Sequence, residues 1–136
     1  MVQVRYIVTN VEAAIVFYTQ HLGFHLDMHP APAFAMLSRG DLRLVLSLPN
    51  PAGGGGRPMP DGSSQEPGGW NRFAVQVDDL ASEVARLHKS SAHFRNDIVT
   101  GVGGKQIILE DPSGNPIELF QPLIPEAKLA SGYSDI

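Results

Sequence analysis

An internal repeat constrains the fold of this chain more than any other feature of its sequence. Four residues at helical spacing recur 69 positions later. Asn10, Val11, Ile15 and Tyr18 correspond to Asp79, Leu80, Val84 and Leu87. Gly40 corresponds to Gly114 at a separation of 74, so the second half has about five additional residues, which we assign to the segment VTGVGG at 99–104. A duplication of this kind predicts two copies of one supersecondary unit.

Each copy reads as a strand, a helix and three strands. In the first copy, alternating apolar residues predict strands, and a helical stripe runs from a capping Asn10 to Gly23. The predicted first-copy elements are strands at 4–8, 24–29, 34–38 and 41–47 around that helix. In the second copy, Asp78 or Asp79 caps the helix. The predicted second-copy strands lie at 72–77, 94–99, 105–109 and 116–120.

A four-stranded sheet with one helix leaves one sheet face uncovered, so we expect the two uncovered faces to meet around a central cleft. We predict a single domain over 1–136, with a first βαβββ module at 3–48 and a second at 70–122. Residues 49–69 form a connector rich in glycine and proline, and 123–136 form a C-terminal tail. A connector of this length is typical either of a lid over a site or of a flexible linker.

Composition excludes several classes of function. Ten basic residues against fourteen acidic ones give a net charge of -4, so we expect no nucleic-acid partner. No apolar stretch approaches the roughly 20 residues of a transmembrane helix, and the N-terminus lacks an export pattern, so we expect a cytoplasmic protein without a membrane partner. The absence of cysteine excludes disulfides, thiolate catalysis and cysteine-bound zinc.

Three segments carry a family resemblance: NVEAAIVFYTQHLGF at 10–24, VDDLASEVARL at 77–87 and EDPSGNPIELFQP at 110–122. With the paired modules, they resemble the vicinal oxygen chelate superfamily of glyoxalase I, bleomycin-resistance proteins and extradiol dioxygenases. The resemblance implies an α+β fold in which two tandem βαβββ modules form a curved mixed sheet around a central cleft. It also implies a homodimer.

Metal-dependent members of that superfamily take four ligands from equivalent places in the two modules. The resemblance puts Gln3 and Arg72 at the first-strand positions, and Leu44 and Glu118 at the last-strand positions. An arginine cannot bind a cation and a leucine has no donor atom, whereas a divalent ion needs three or four such ligands. We therefore predict no metal and no cofactor.

Six residues are predicted to contact a ligand: Gln3, Arg5, Trp70, Arg72, Gln76 and Glu118. By the resemblance, Glu118 faces the pocket and accepts a charge-assisted hydrogen bond from Arg72, either as a purely structural pair or as a ligand contact. Trp70 either stacks on a planar ligand or seals a sheet edge. Arg5 shares a strand face with Gln3, and Gln76 shares one with Arg72.

A second group of polar residues is His25, Asp27 and His29, which have the spacing of metal ligands on one strand face. Because Leu26 and Met28 alternate with them and are expected to point inward, we interpret the polar trio as a solvated face. The sequence therefore predicts no metal site there either.

The predicted function is binding and sequestration of a drug or natural product by a protein of the bleomycin-resistance type, without a metal and without catalysis. The ligand is expected to be a small, aromatic organic molecule. The alternative is a glyoxalase-like lyase, isomerase or dioxygenase. Glu118 would then be a metal ligand, or a general base beside an enolate stabilised by Arg72.

Overall fold

The structure is a computed structural model that describes residues 1–50 and 54–129. Parts of the predicted connector and tail, residues 51–53 and 130–136, lie outside the described residues. The chain divides into two compact units. The first comprises Met1–Gly69 together with Asp111–Asn115, and the second comprises Trp70–Glu110 together with the chain from Pro116 onward.

The first unit is a four-stranded sheet with one helix. Its elements are β1 (Val2–Ile7), α1 (Val11–His21), β2 (His25–Ala31), β3 (Phe34–Arg39) and β4 (Leu42–Ser47). The strand order is β1-β4-β3-β2, with β1 parallel to β4 and the other pairs antiparallel. The predicted order of a strand, a helix and three strands is confirmed.

Local chemistry sets the ends of both helices. Asn10 accepts a hydrogen bond from the backbone of Ala13, and Asp79 accepts one from Ser82, so both predicted N-caps are confirmed. Gly23 has a φ of 72°, which favours glycine and ends the first helix where the sequence predicted. The two helices begin 69 residues apart, at Val11 and Leu80, as the repeat requires.

The second unit repeats this plan with one additional strand, because two short strands follow its helix where the first unit has one. Its elements are β5 (Ala74–Gln76), α2 (Leu80–Lys89), β6 (His93–Phe94), β7 (Val99–Thr100), β8 (Gly104–Glu110), β9 (Pro116–Pro122) and a 3-10 helix (Pro125–Ala127). The strand order is β5-β9-β8-β6, and β7 also pairs with β8. Each unit is therefore one mixed sheet with one α-helix, and the predicted α+β class is confirmed.

The predicted strand at 94–99 is interrupted. Only His93–Phe94 and Val99–Thr100 pair with β8. Between them, the side-chain oxygen of Asn96 accepts the backbone N–H of Ile108 at 2.9 Å, so a side chain takes the place of a main-chain partner. Asparagine competes with the backbone in this way, which ends the ladder locally.

Strand β2 differs from its prediction in the direction of its side chains. All seven of its residues are exposed, including Leu26 and Met28, which were expected to point inward. The register of β2 against β3 shifts between Leu26 and Met28. Between these two residues, Asp27 accepts a hydrogen bond from the hydroxyl of Ser38 at 3.0 Å.

Strand pairing within each unit corrects one equivalence in the repeat. Val8 and Val77 are equivalent in the 69-residue repeat. The N–H of Val8 donates to the carbonyl oxygen of Ser47, and the N–H of Val77 donates to that of Phe120. The last strands therefore correspond at a separation of 73 rather than 74. Glu118 pairs in register with Ala74, and the matching pair in the first unit is Arg5 with Val45. The counterpart of Glu118 is Val45, so the assignment to Leu44 was wrong by one residue.

Each sheet has one face turned away from its own helix, which we call the helix-free face. In the first unit, Arg39 bonds to the carbonyl of Leu22 at the end of α1, so its strand neighbours Ser38 and Met36 lie on the helix-free face. In the second unit, Gln121 accepts a hydrogen bond from Leu80 at the start of α2. The alternating residues Glu118 and Phe120 therefore lie on the helix-free face of that sheet.

Among the described residues, neither helix has the length and apolar character needed to cross a membrane.

Candidate functional site

An ion pair occupies the helix-free face of the second unit. Arg72 donates to Oε1 of Glu118 from Nε at 3.0 Å and from Nη2 at 2.9 Å. Arg72 also donates from Nη1 to the carbonyl oxygen of Trp70 at 3.1 Å. The predicted pairing of Arg72 with Glu118 is therefore present, and it places an ionic group on a sheet face beside the only tryptophan.

The indole of Trp70 is held by a second arginine, which the sequence analysis did not identify. The guanidinium carbon of Arg95 lies 4.7 Å from the centroid of the indole. Nε of Arg95 donates to Oε2 of Glu110 at 2.7 Å, which orients the guanidinium. Despite this contact, Trp70 is 69% exposed. The structure thus presents a large aromatic ring that is oriented by a cation–π contact yet accessible to solvent.

Gln76 lies on strand β5, two residues beyond Ala74, which pairs in register with Glu118. Gln76 and Ala74 therefore lie on the same helix-free face as Glu118. The side-chain oxygen of Gln76 accepts the backbone N–H of Leu129 at 2.8 Å. Its amide oxygen is thus engaged by the C-terminal segment, which leaves the amide nitrogen as the group it can offer a ligand.

Gln3 and Arg5 lie on the helix-free face of the first unit. Gln3 pairs in register with Arg43, and Arg5 pairs with Val45. Arg5 donates from Nη1 to the hydroxyl of Ser47 at 2.7 Å. The six predicted residues therefore fall into a pair on the first unit and a group of four on the second.

Part of the connector is ordered against Arg5. The side chain of Gln65 donates to the carbonyl oxygens of Gly55 and Arg57 at 2.9 and 3.0 Å, which closes the segment into a compact loop. A Cβ on Gly55 would overlap the guanidinium of Arg5. Glycine is therefore needed where this loop crosses the arginine.

The turn Asp111–Asn115 of the first unit is built around a buried carboxylate. Asp111 accepts hydrogen bonds from the backbone of Ser113 and Asn115, from the side chain of Asn115 and from the hydroxyl of Tyr18, at 2.8 to 3.0 Å. Burial raises the pKa of Asp111, and the hydrogen bonds from Asn115, Tyr18 and Ser113 oppose that rise. Burial and the charge of Asp111 together raise the pKa of Tyr18.

The four positions that the family uses for metal ligands do not fit a metal here. They are occupied by Gln3, Val45, Arg72 and Glu118, after the correction of Leu44. One carboxylate and one amide are too few donors for a divalent ion, and Oε1 of that carboxylate accepts from Arg72. Within residues 1–50 and 54–129, no three His, Asp or Glu side chains are grouped to hold a metal ion.

A groove of about 810 Å³ lies beside α2 in the second unit. Its lining includes Val84 and His88 of the helix and Phe94, Asn96 and Ile107. The ring of His88 packs on that of Phe94 with centroids 4.8 Å apart. None of the six residues predicted to bind a ligand lines this groove. Arg95 does line it, and its guanidinium contacts the indole of Trp70, so the groove adjoins the predicted site.

Residues 1–119 match the model of the Glyoxalase/Bleomycin resistance protein/Dioxygenase superfamily. This chain belongs to that superfamily. The match covers the strands and helices of both units up to the middle of β9. No curated protein matches the chain significantly.

Solved structures of the superfamily have the same fold. The chain is similar to TnmS3, an antibiotic binding protein from Streptomyces sp. CB03234, with 25% identity, a TM-score of 0.67, and coverage of 88% of this chain and 93% of that one. It is also similar to lactoylglutathione lyase from Agrobacterium tumefaciens, with 18% identity, a TM-score of 0.68, and coverage of 89% and 92%. TioX from Micromonospora sp. ML1 is 17% identical, with a TM-score of 0.70 and coverage of 90% and 98%.

Two arginines that the sequence analysis passed over, Arg43 and Arg95, lie among the candidate residues. Arg43 stands between Leu42 and Leu44, and this alternation could have identified a side chain on the helix-free face. Arg95 carried no such signal, because its strand ends at Phe94 and its contact with Trp70 depends on how the chain folds back.

Proposed function

We propose that this protein binds a planar, aromatic small molecule and sequesters it without chemical conversion and without a metal. The observation that carries the proposal is the indole of Trp70, which is oriented by Arg95 yet 69% exposed. Exposed tryptophan held in a defined orientation is costly to leave in water and well suited to stacking. A side chain this exposed does not seal a sheet edge, so the exposure favours ligand contact.

The surrounding charges support the same proposal. Arg72 and Glu118 form an ion pair near the indole, and Arg95 and Glu110 form another. Such pairs supply hydrogen-bonding groups that fix the orientation of a ligand, while the aromatic ring supplies most of the buried area. TnmS3, at 25% identity, is an antibiotic binding protein, which supports a drug or natural product as the ligand class.

The alternative is a glyoxalase-like lyase, isomerase or dioxygenase with Glu118 as a metal ligand or a general base. The lactoylglutathione lyase is similar in fold at 18% identity, which carries no argument about activity. Arg72 donates two hydrogen bonds to Oε1 of Glu118, so only Oε2 is left for the role of a general base. Sequestration therefore has the stronger support. We also propose a cytoplasmic homodimer.

The test uses the single tryptophan as its own reporter. Titration with a panel of polyaromatic antibiotics and flavin-like compounds is expected to quench the emission of Trp70. Calorimetry on Trp70→Ala is then expected to show at least about tenfold weaker binding of any compound that quenches, because a stacked ring contributes about 1 kcal/mol beyond the area it buries. Trp70→Phe is expected to retain part of the affinity.

The matched control is Val102→Ala, which trims another exposed apolar residue of the same unit. We expect it to leave the affinity unchanged. An emission unaffected by every compound would contradict the proposal. So would a compound that binds Trp70→Ala as tightly as it binds the unmodified protein.

A further inference from the structure

The helix-free face of the first unit contains an arginine whose hydrogen-bonding capacity is unused. Among residues 1–50 and 54–129, Nε of Arg43 is the one buried side-chain nitrogen or oxygen that has no hydrogen-bond partner. Folded proteins leave few such groups, and each requires a physical explanation.

The remaining contacts of Arg43 are weak. Nη1 donates to the sulfur of Met36 at 3.3 Å, and a thioether is a poor acceptor. Nη2 lies 3.6 Å from Oδ2 of Asp27, beyond hydrogen-bonding distance, and Oδ1 of that carboxylate already accepts from Ser38. A guanidinium with five N–H donors is thus held by one soft acceptor and one distant carboxylate. Nε is buried but the side chain as a whole is 32% exposed, so a ligand would meet the guanidinium at its Nη groups.

The arginines of the first unit carry an excess of positive charge on this face. Arg5 is a diagonal neighbour of Arg43, because Arg5 pairs with Val45 and Arg43 pairs with Gln3. Its side chain donates to the neutral hydroxyl of Ser47, and in the described part of the chain Arg5 joins no ion pair. Of these two guanidinium groups, only that of Arg43 lies near a carboxylate, that of Asp27.

On the helix-free face of the second unit, each arginine is paired with a glutamate, so their charges cancel. Arg72 pairs with Glu118 at 2.9 Å, and Arg95 pairs with Glu110 at 2.7 Å. Among the arginines of the two helix-free faces, the excess of cationic donors is in the first unit, although the whole chain has a net charge of -4. A local cation on an acidic protein indicates a site for an anionic group.

We propose that Arg43, with Gln3 and Arg5 beside it, binds the carboxylate group of a small organic acid on the helix-free face of the first unit. The planar guanidinium matches a carboxylate with two parallel N–H···O bonds, which the sulfur of Met36 cannot offer. The exposed amide of Gln3, opposite Arg43 in the strand register, supplies a further donor.

The test compares two probes of the same shape, anthracene-2-carboxylate and anthracene-2-carboxamide. Calorimetry is expected to show that the unmodified protein binds the carboxylate about tenfold more tightly or better, as expected for hydrogen bonds to a charged group. Arg43→Met is expected to remove this preference while leaving the affinity for the carboxamide unchanged. Arg43→Lys keeps the positive charge but loses the two parallel N–H donors of the guanidinium. We therefore expect an intermediate preference for the carboxylate over the carboxamide.

The matched control is Arg86→Met, which removes one positive charge from an exposed helical arginine paired with Glu83. It changes the net charge as Arg43→Met does, and we expect it to retain the preference for the carboxylate. Equal binding of the two probes by the unmodified protein would overturn the inference while leaving the proposed function intact. Retention of the preference in Arg43→Met would overturn it as well.

A second measurement separates the two proposals if neither anthracene compound binds. The 15Nε–Hε signal of Arg43, assigned by its loss in Arg43→Met, is expected to shift on titration with sodium benzoate and not with benzamide. A benzoate-specific shift without anthracene binding would support the carboxylate site and contradict the proposed binding of extended aromatic ligands. No shift with benzoate would overturn the carboxylate site.

Discussion

At the scale of single residues, the four arginines of the helix-free faces differ in how their charge is balanced. Arg72 and Arg95 each contact a glutamate below 3.1 Å, whereas Arg43 and Arg5 contact a thioether and a hydroxyl. Removing one partner of a well-made pair leaves the other partly desolvated without compensation. The weakly held arginines are therefore the ones that can exchange their present partners for a ligand at little cost.

Asp111 is the residue whose ionisation couples to the stability of the first unit. Burial holds its pKa above the ordinary value of 3.8, so the folded protein binds the proton more tightly than the unfolded chain does. The stabilisation from this difference is fully present below the unfolded-state pKa, and it is lost as the pH rises through the folded-state pKa. The free energy of unfolding contributed by this group therefore falls with increasing pH.

We expect Asp111→Asn to remove this pH dependence. In urea unfolding between about pH 3.5 and about pH 6, the stability of the unmodified protein is expected to decline relative to that of Asp111→Asn. Tyr18→Phe is the control, because it removes the hydroxyl that bonds to Asp111 but keeps the titrating carboxyl group. We expect this control to be less stable by about 1–3 kcal/mol and to retain the decline.

A stability difference between the unmodified protein and Asp111→Asn that is constant, or that grows in favour of the unmodified protein as the pH rises, would contradict the raised pKa. A Tyr18→Phe variant as stable as the unmodified protein would contradict the buried hydrogen bond.

At the scale of elements, the connector is the segment that the sequence described least well. Its glycine and proline content was compatible with a lid or a linker. Within the described residues, Gln65 closes Gly55 and Arg57 into a loop, and the backbone of Asn50 bonds to the carbonyl oxygen of Gly56. The described part of the connector is thus a folded loop whose glycines permit close contact with β1 and with the end of β4.

Substitution of three adjacent glycines is expected to give graded effects. A Cβ on Gly56 would overlap the backbone carbonyl oxygen of Leu48, which cannot move without distorting the chain, so we expect Gly56→Ala to cost about 1–3 kcal/mol. A Cβ on Gly55 would overlap only the flexible end of Arg5, so we expect a smaller loss. Thermal unfolding of the three alanine variants measures how their losses of stability rank.

Gly54→Ala is the matched control in this series. Apart from its chain neighbours, no atom of the described residues lies within 4 Å of a Cβ at Gly54. We expect the stability of Gly54→Ala to stay within about 0.5 kcal/mol of that of the unmodified protein. Equal effects at Gly54 and Gly56 would show that the loop does not make the close contact with Leu48.

The interruption between β6 and β7 is a second property of an element that composition did not reveal. A strand predicted over 94–99 retains only its two ends, because Asn96 uses its side chain to bond to Ile108. Periodicity reports which residues can alternate across a sheet, but it does not report when a side chain outcompetes the backbone for a partner.

At the scale of the whole molecule, the superfamily fold occurs together with an incomplete set of metal donors. Gln3, Val45, Arg72 and Glu118 offer one carboxylate and one amide oxygen. We expect elemental analysis of protein purified without chelator to find far less than one equivalent of Zn, Ni, Mn or Fe, and EDTA to leave the melting temperature unchanged. A stoichiometric metal that survives dialysis would contradict this prediction and would favour the enzyme alternative.

The sequence by itself determined the features that depend on local spacing. The 69-residue repeat, the helix caps Asn10 and Asp79, and the alternation of the longer strands predict two βαβββ modules. Three segments that resemble the superfamily, together with those modules, predict its fold. These features are readable because capping and amphipathic periods involve residues close together in the chain.

Only the tertiary structure decided which distant side chains meet. Leu44 faces the helix and its neighbour Val45 lies on the helix-free face, so a shift of one residue changes which of them corresponds to Glu118. The offset read from the sequence indicated Leu44, whereas the strand register gives Val45. The contact of Arg95 with Trp70 and the unused Nε of Arg43 likewise depend on strand pairing and side-chain rotamers. Because a strand has a period of two, its chemistry is settled only when its register against its neighbours is known.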